Sequence, residues 1–357
     1  MNSHSPYCTV DEASELIACC MAKNVPFYVC RYPDEEQCRF GAQVRTSPVH
    51  RLDNGFRVMP FDMNSSDIPF SIYPDTFPAD RERLQALPVR DVEERVMVGE
   101  DVDYEEYIGA VESLVDRMRN GREFSKLVYA RTITRPCDTK TFLPQYFARL
   151  CNMYSTAYVF IVHYPGVCGW VGATPEVLLV SQPQGYATMA LAGTRKVGTA
   201  GEWGSKEKDE QQYVTQYIAD KLQQCGLHDV TMRTYTKQAA QVEHLCTHFD
   251  IAVQHDYFLR DQLLSLLHPT PAVAGVPMPD VVRAIDAIER LSRRYYGGYL
   301  GEAFPDGRCR LYVNLRSMEF TSDAVRLYVG GGLTAQSVAQ DEWDETCAKS
   351  QTLLSAF

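Results

Sequence analysis

The sequence predicts an α+β protein whose sheets are antiparallel. The main observation is that strand-like segments follow one another as hairpins instead of alternating with helices, which disfavours a doubly wound parallel sheet. These segments cover residues 127–133, 157–164, 177–181, 187–192, 299–304, 310–320 and 324–330. A second observation is that Pro and Gly separate them, most clearly at Pro305-Asp306-Gly307, which is typical of a turn.

The helices are predicted from capping signals and apolar periodicity. Asp103 and Glu106 form a capping box, and apolar residues follow at helical spacing until Gly121 ends the helix. Residues 205–224 form another helix with an apolar face at Tyr213, Val214, Tyr217, Ile218 and Leu222. Further helices are predicted over residues 10–22, 143–153, 257–267, 279–294 and from 340 onward.

Residues 1 to about 100 carry weaker signals than the rest of the chain. Residues 25–30 have the composition of a strand, and the text up to residue 90 is rich in Pro and Asp. No chemistry is evident in this part. The length of 357 residues would by itself suggest about two domains.

Composition excludes several classes of function. The formal net charge is −11 and no block of Lys or Arg stands out, which argues against a nucleic-acid partner. No run of about 18 apolar residues appears, and the start of the chain lacks a basic region followed by an apolar stretch. We therefore expect a cytoplasmic protein without membrane contact. The twelve cysteines lack a Cys-x-x-Cys pair and are expected to be reduced packing residues.

Two residues fifty positions apart are candidates for acid and base chemistry. Lys126 lies in Phe-Ser-Lys-Leu-Val-Tyr-Ala-Arg and Glu176 ends Gly-Ala-Thr-Pro-Glu, each at the edge of a strand-like segment. A lysine that acts as a base needs a pKa well below about 10.4, whereas a glutamic acid that donates a proton needs a raised pKa. The two roles require opposite environments.

Two Glu-x-x-Glu patterns are candidate metal ligands. Glu207 and Glu210 share one face of a helix, as do Glu342 and Glu345, and Lys349 follows Glu345 by four residues. Each pattern alone is equally consistent with a solvated helix surface. Together, two carboxylate pairs with oxygen ligands suit Mg²⁺, which takes one or two carboxylates and completes its shell with substrate and water.

Other polar positions are ambiguous from the residues alone. Gly330-Gly-Gly332 could bring backbone N–H groups close to an anion, or could be a flexible turn. Arg316 could grip a carboxylate, although an arginine in a strand is more often on the surface. His244 and His268 lie in apolar contexts, where a hydrogen-bonded core histidine is the default.

The motifs taken together resemble those of the chorismate-utilising enzymes, from about residue 104 to the end. The resemblance is carried by the two segments around Lys126 and Glu176, by Leu-Ala-Gly-Thr (191–194), both Glu-x-x-Glu pairs, His-Pro-Thr-Pro-Ala (268–272), Tyr-Gly-Gly-Tyr-Leu-Gly (296–301) and Glu-Trp-Asp-Glu-Thr (342–346). The family includes isochorismate, salicylate, anthranilate and aminodeoxychorismate synthases.

The resemblance implies one domain over residues 1–357, built on two packed antiparallel β-sheets with helices outside. It replaces the length-based expectation of two domains. Residues 104–357 would carry the catalytic motifs, and residues 1–100 would complete the sheets.

The resemblance also implies roles for individual residues. Lys126 would be the general base and Glu176 the general acid. Glu210 and Glu345 would bind Mg²⁺, with Glu207 and Glu342 as outer or water-mediated partners. The implied substrate-binding residues are Gly193, Thr194, His244, Ala272, Tyr296, Arg316, Gly330, Gly332 and Lys349. Gln211 departs from the family, where histidine often follows the metal-binding glutamate.

Two positions divide the family and predict the reaction. Lys126 is the residue that water-using members carry, which speaks against an aminating synthase and against an obligatory glutaminase subunit. Ala272 stands where members that also eliminate pyruvate usually have threonine. We therefore expect Mg²⁺-dependent conversion of chorismate to isochorismate by a monomer, with the last part of the chain most similar to menaquinone-pathway members. The alternatives are a salicylate synthase or an inactive homologue that only binds.

Overall fold

The computed structural model describes residues 5–45, 54–93, 95–121, 123–239, 242–278 and 280–357. These residues form eight α-helices: α1 Val10–Lys23, α2 Arg81–Gln85, α3 Tyr104–Gly121, α4 Thr139–Met153, α5 Ser205–Gln224, α6 Tyr257–Leu267, α7 Asp280–Ile288 and α8 Ala339–Leu354.

Seventeen strands occur in the same described part of the chain. They are β1 Tyr7–Cys8, β2 Phe27–Arg31, β3 Cys38–Ala42, β4 Gly55–Met59, β5 Phe70–Ile72, β6 Lys126–Pro136, β7 Tyr158–Tyr164, β8 Cys168–Thr174, β9 Val177–Gln182, β10 Gly185–Lys196, β11 Val230–Ala239, β12 Val242–Ala252, β13 Gly275–Val276, β14 Tyr299–Ala303, β15 Cys309–Val313, β16 Ser317–Phe320 and β17 Ala324–Leu333.

The strands form two antiparallel sheets. The first sheet has the order β1-β3-β2-β7-β8-β16-β17-β6-β13. The second has the order β11-β12-β10-β9-β15-β14-β4-β5. The predicted fold, two packed antiparallel sheets with helices outside, is confirmed.

Aromatic side chains fill the space between the two sheets. Tyr158 of the first sheet stacks on Tyr312 of the second, with ring centroids 4.1 Å apart, and Tyr28 stacks on Phe56 at 4.3 Å. Helices cover the outer faces: α1 and α4 pack on the first sheet, α7 packs on β6 and β13 of that sheet, and α5 and α6 pack on the second sheet. Burial of aromatic and aliphatic area on both faces holds the layers together.

Strands from the first hundred residues belong to both sheets. β1, β2 and β3 extend the first sheet, and β4 and β5 extend the second beside β14. A buried ionic group ties them together: Glu302 of β14 accepts hydrogen bonds from Tyr28 and Tyr32, at 3.0 and 2.7 Å, and pairs with Arg39 at 2.8 Å. Residues 1–4, 46–53 and 94 lie outside the described residues.

Several elements differ from the prediction. The strands that were not predicted are β1, β3, β4, β5, β8, β11, β12 and β13. The single strand expected over residues 310–320 is two strands, because Arg316 adopts a left-handed backbone with φ of 46° and turns the chain between β15 and β16. The helix expected over residues 279–294 ends at Ile288, and Pro279 lies outside the described residues.

All twelve cysteines are free thiols. Within the described ranges, no helix has both the length and the apolar character that crossing a bilayer requires.

Candidate active site

One cavity collects most of the predicted site residues. The predicted residues that line it are Glu176, Thr194, Glu210, His244, Ala272, Tyr296, Arg316, Gly330, Gly332 and Lys349. The other five predicted residues, Lys126, Gly193, Glu207, Glu342 and Glu345, are not among its lining residues. Lys126 and Gly193 contact the lining residue Glu210, as described next.

Lys126 is the first residue of β6, and its side chain is fully buried behind the cavity wall. Its Nζ lies 3.0 Å from Oε1 of Glu210. A Cβ atom at Gly332, in the neighbouring strand β17, would lie 2.3 Å from the same oxygen and 3.0 Å from Cε of Lys126. The missing side chain at Gly332 therefore leaves room for this ion pair.

Glu176 lies in the short turn between β8 and β9 and is 2% exposed. Its Oε1 has no hydrogen-bond partner among the described residues. Burial raises the pKa of Glu176 to about 8, although Lys126, Lys237, Lys349 and Arg316 oppose the shift. The carboxyl group therefore carries its proton at neutral pH and faces the cavity as an acid.

Glu210 projects from α5 into the cavity, and two contacts orient its carboxylate. Lys126 binds Oε1, and the backbone N–H of Gly193 donates to Oε2 at 3.2 Å. Gly193 has φ of +64° at an irregularity in the pairing of β10 with β12, and a Cβ there would lie 2.8 Å from the carbonyl oxygen of Glu207. Burial raises the pKa of Glu210, but Lys126, Lys349 and Lys206 outweigh that effect and lower it.

Glu342 and Glu345 lie on α8, beside Gly331 of strand β17. A Cβ at Gly331 would be 3.1 Å from Oε2 of Glu342 and 4.0 Å from Oε1 of Glu345. Glu342 is fully buried and pairs with Lys206 at 2.6 Å, and Glu345 pairs with Lys349 at 2.6 Å. Burial and the neighbouring Glu345 raise the pKa of Glu342 to about 7.

The chemistry of Glu342 and Glu345 suits the binding of a divalent cation. Oε2 of Glu342 is buried without a hydrogen-bond partner among the described residues, and repulsion from Glu345 disfavours its ionised form. A cation with oxygen ligands would relieve both costs. Nevertheless, in the described ranges no three His, Cys, Asp or Glu side chains are grouped closely enough to hold a metal by themselves. Oε2 of Glu207 lies beside Gly204, at the start of α5.

A hydrogen-bonded chain lines the opposite wall. Arg316 donates to Oγ1 of Thr352 at 2.8 Å and to Nε2 of His244 at 3.2 Å, and Nδ1 of His244 lies 3.2 Å from Oγ1 of Thr194. Arginine can only donate, so Nε2 of His244 accepts and Nδ1 carries the proton. Burial, followed by the charges of Arg316 and Lys349, lowers the pKa of His244 well below its ordinary value. His244 is thus a neutral support for Arg316.

Tyr296 and Lys349 place further polar groups around the cavity. A Cβ at Gly330 would lie 3.2 Å from the hydroxyl of Tyr296, so the bare strand lets that phenol approach. Burial raises the pKa of Tyr296 to about 12, and the phenol keeps its proton. Nζ of Lys349 donates to the carbonyl oxygen of Gly330 at 2.9 Å.

Sequence reasoning assigned no role to three residues at this site. Lys206 neutralises Glu342, and Lys237 lies behind Glu176. Gln211 fixes α5 on β10, because its side chain accepts from the N–H of Ala192 at 2.9 Å and donates to the carbonyl oxygen of Ala190 at 3.1 Å. The adjacency of Lys206 to Glu207 was a weak signal, and nothing in the sequence near Lys237 indicated its place.

Comparison with known proteins identifies the family. The family model described as chorismate binding enzyme matches residues 77–357. The chain belongs to the chorismate-binding enzymes. Isochorismate synthase EntC of Escherichia coli K12 is 28% identical over 323 residues, covering 84% of this chain and 80% of that protein.

Two other relatives support the same family and fold. A salicylate biosynthesis isochorismate synthase of Pseudomonas aeruginosa is 30% identical over 259 residues, covering 69% of this chain and 53% of that protein. The structure of MenF, the menaquinone-specific isochorismate synthase of Escherichia coli, superposes with a TM-score of 0.77 at 19% identity, covering 96% of this chain and 91% of that one.

Proposed function

We propose that this chorismate-binding enzyme is an isochorismate synthase. The observation that carries the proposal is that two buried groups meet at one cavity: the carboxylic acid of Glu176, which keeps its proton, lines the cavity, and the side chain of Lys126 lies 3.0 Å from the lining residue Glu210. Exchange of a hydroxyl group between two ring carbons needs both a proton donor and a proton acceptor.

The proton transfers balance as follows. Lys126 accepts a proton from the water molecule whose oxygen bonds to C2 of chorismate. The ring double bonds shift, and the C4–O bond breaks while Glu176 gives its proton to the departing hydroxyl, which leaves as water. Hydroxide is a poor leaving group and water a weak nucleophile, so each group lowers a different part of the barrier. A proton then returns from Lys126 to Glu176, and the net reaction is an isomerisation.

The substrate carries two carboxylates, and the cavity offers cations for them. Arg316, held by Thr352 and by neutral His244, would receive the enolpyruvyl carboxylate together with the hydroxyl of Tyr296. Gly193, Thr194, Gly330, Gly332 and Lys349 would complete the binding surface.

We propose Glu210 and Glu345 as the ligands of Mg²⁺, with Glu342 and Glu207 in outer positions. When bound, the ion would hold the ring carboxylate and take over the charge of Glu210 that Lys126 neutralises here. The support is the set of buried and partly buried carboxylates beside β17, including the oxygen of Glu342 that has no hydrogen-bond partner among the described residues.

The proposed product is isochorismate, because Ala272 lines the cavity and offers a methyl group where pyruvate-eliminating members usually have a threonine hydroxyl. We place the reaction in menaquinone synthesis on the resemblance of residues 311–357 to enzymes of that pathway. Restored growth of a strain lacking its menaquinone-specific isochorismate synthase would test the pathway, and rescue of a catechol-siderophore defect alone would contradict it.

The direct experiment is incubation of the purified protein with chorismate and Mg²⁺, followed by chromatographic detection of isochorismate. Lys126→Gln and Glu176→Gln should each reduce kcat by roughly 10²- to 10⁴-fold. The matched controls are Lys208→Gln and Glu202→Gln. These two residues form an exposed ion pair, and neither substitution should change kcat. Salicylate fluorescence in place of isochorismate would favour the pyruvate-eliminating alternative, and no turnover would favour a binding homologue.

The metal assignment has its own test. Glu345→Ala should abolish activity while circular dichroism stays unchanged, and isothermal titration should show weaker Mg²⁺ binding. Full activity in the presence of EDTA would reject the proposal.

The remaining assignments are proposals of the same kind. We propose a monomer that works in the cytoplasm without a glutaminase subunit. Light scattering of the purified protein tests the oligomeric state. Product formation from chorismate and water, with no stimulation by ammonia or glutamine, tests the absence of an amination partner.

A further inference from the structure

Lys237 is a partly buried cation that has no role in the site described above. It lies on β11, the edge strand of the second sheet, and its side chain reaches inward to the turn that carries Glu176. Its Nζ donates to the carbonyl oxygen of Pro175 at 2.8 Å and lies 3.9 Å from Sδ of Met189. Among the described carboxylates, none lies within the 4.0 Å of an ion pair with Lys237.

Four cations oppose the rise in the pKa of Glu176 that burial causes, and three of them have other partners. Lys126 pairs with Glu210, Lys349 pairs with Glu345, and Arg316 is held by Thr352 and His244 for the substrate. The fourth is Lys237. It has no described carboxylate at contact distance, and at longer range Glu176 acts on it more strongly than Asp34 does.

Two other ionisable groups act on Glu176 electrostatically. They are the phenol of Tyr296 before β14 and the thiol of Cys246 on β12. Burial raises the pKa of both, so both stay neutral and neither can compensate a negative charge.

The need for such a charge follows from the chemistry of a buried acid. Once Glu176 has given its proton to the leaving hydroxyl, a carboxylate remains that is 2% exposed and has no partner on Oε1 among the described residues. An uncompensated buried carboxylate is costly, and a cation within a few ångströms reduces that cost.

We propose that Lys237 is a positioning residue for the acid: it holds the Pro175–Glu176 turn through the Pro175 carbonyl and compensates the carboxylate that forms when Glu176 donates. This inference rests on the proposed function. Lys237 is not among the residues that line the cavity, so in this proposal it acts only through Glu176.

The test compares three variants by steady-state kinetics over a range of pH. Lys237→Met removes the charge and the hydrogen bond beside Met189, whereas Lys237→Gln removes the charge but keeps a donor for Pro175. Arg233→Met is the matched control, because Arg233 lies on the same strand and pairs with Asp250 at the surface.

We expect Lys237→Met to lower kcat roughly tenfold, less than the loss of the acid itself, with KM nearly unchanged. Loss of a nearby positive charge disfavours ionised Glu176, so the alkaline limb of the kcat/KM profile should move to higher pH. Lys237→Gln should move it in the same direction, and Arg233→Met should match the wild type. Profiles of both Lys237 variants that coincide with the wild type would overturn the proposal, as would an effect on KM alone.

A second readout does not depend on turnover. Infrared difference titration of the protonated carboxyl band, assigned by its loss in Glu176→Gln, gives the ionisation midpoint of Glu176 directly. The ionisation midpoint of Glu176 should rise in both Lys237 variants and remain unchanged in Arg233→Met. An unchanged midpoint would reject the role of Lys237 even in an active enzyme. A protein that shifts its midpoint but does not convert chorismate would instead reject the proposed function.

Discussion

At the scale of single residues, the site depends on two equally buried groups that have different neighbours. Glu176 is enclosed with no donor on Oε1, so the neutral acid is favoured. Lys126 is equally enclosed but contacts the carboxylate of Glu210 at 3.0 Å. The two groups therefore differ in their neighbours and not in their depth.

The first prediction concerns the pH dependence of the reaction. Because burial raises the pKa of Glu176 to about 8, kcat/KM should decline as pH rises above that value, where the acid has lost its proton. A pH series with the wild-type enzyme checks this expectation. A profile that stays flat well above that pH would show that another group supplies the proton.

The second prediction concerns stability and needs no substrate. The unfolded chain ionises Glu176 near its ordinary value of 4.5, while the folded chain keeps the proton until about pH 8. In that window the folded state binds more protons, so stability falls as pH rises, by on the order of a few kcal/mol in total. Glu176→Gln removes this loss.

Urea unfolding at the two ends of the window measures the effect. We expect Glu176→Gln to exceed the wild type in stability at the alkaline end and to differ little at the acidic end. Equal stabilities at both ends would contradict the buried, protonated state of Glu176.

At the scale of elements, β17 organises the site through three consecutive glycines. Gly330 and Gly332 leave room on one face for Tyr296 and for the pair of Lys126 with Glu210, while Gly331 leaves room for Glu342 and Glu345 on α8. The strand is fully paired with β6, so it is not the flexible turn that its composition equally allowed. Its glycines serve close approach of side chains.

The third prediction follows from that crowding. In Gly332→Ala, the new Cβ would meet Oε1 of Glu210 at 2.3 Å, which forces the carboxylate away from Lys126 and Gly193. We expect loss of most activity and weaker Mg²⁺ binding by calorimetry. The control is Gly109→Ala in α3, where nothing lies within 4 Å and helix propensity should add roughly 0.5–1 kcal/mol of stability. Normal activity in Gly332→Ala would refute this account of β17.

The same scale shows what the sequence could and could not predict. Helices such as α3 and α5 were predictable, since capping and apolar spacing are local signals. β11 was not, because this edge strand has exposed residues such as Met232 and Tyr235 and lacks the alternation of a half-buried strand. The split between β15 and β16 depends on one backbone angle at Arg316, which no residue pattern reveals.

For the site, motif resemblance supplied the candidates, and the structure brought ten of them to one cavity. Partners on distant segments could not be read from the chain. Lys206 meets Glu342 across 136 positions, and Lys237 meets Pro175 across 62, so only folding brings them together.

At the scale of the whole molecule, the first hundred residues are part of the sandwich that positions the site. The ionic group of Glu302 with Tyr28, Tyr32 and Arg39 joins β14 to strands β2 and β3 across the core. The net charge of −11 acts weakly on a dianionic substrate beyond the Debye length of about 8 Å. Cations around the cavity therefore decide binding.

The fourth prediction tests the role of that buried group. Glu302→Leu leaves the partly buried Arg39 without its carboxylate and the buried hydroxyls of Tyr28 and Tyr32 without their acceptor, so the free energy of unfolding should drop by roughly 3–5 kcal/mol. The control Glu123→Gln breaks an exposed pair with Arg117 and should change stability by less than about 1 kcal/mol. Denaturant unfolding of both variants provides the comparison, and equal effects would remove the argument for a structural link through Glu302.

The central claim is that a base and an acid at one cavity exchange a ring hydroxyl for water. Turnover of chorismate by the wild-type enzyme in oxygen-18 water tests it most directly, with mass spectrometry of the product. We expect isochorismate that carries one heavy oxygen in the C2 hydroxyl. Product without the label, or an absence of product in the presence of Mg²⁺, would contradict the account.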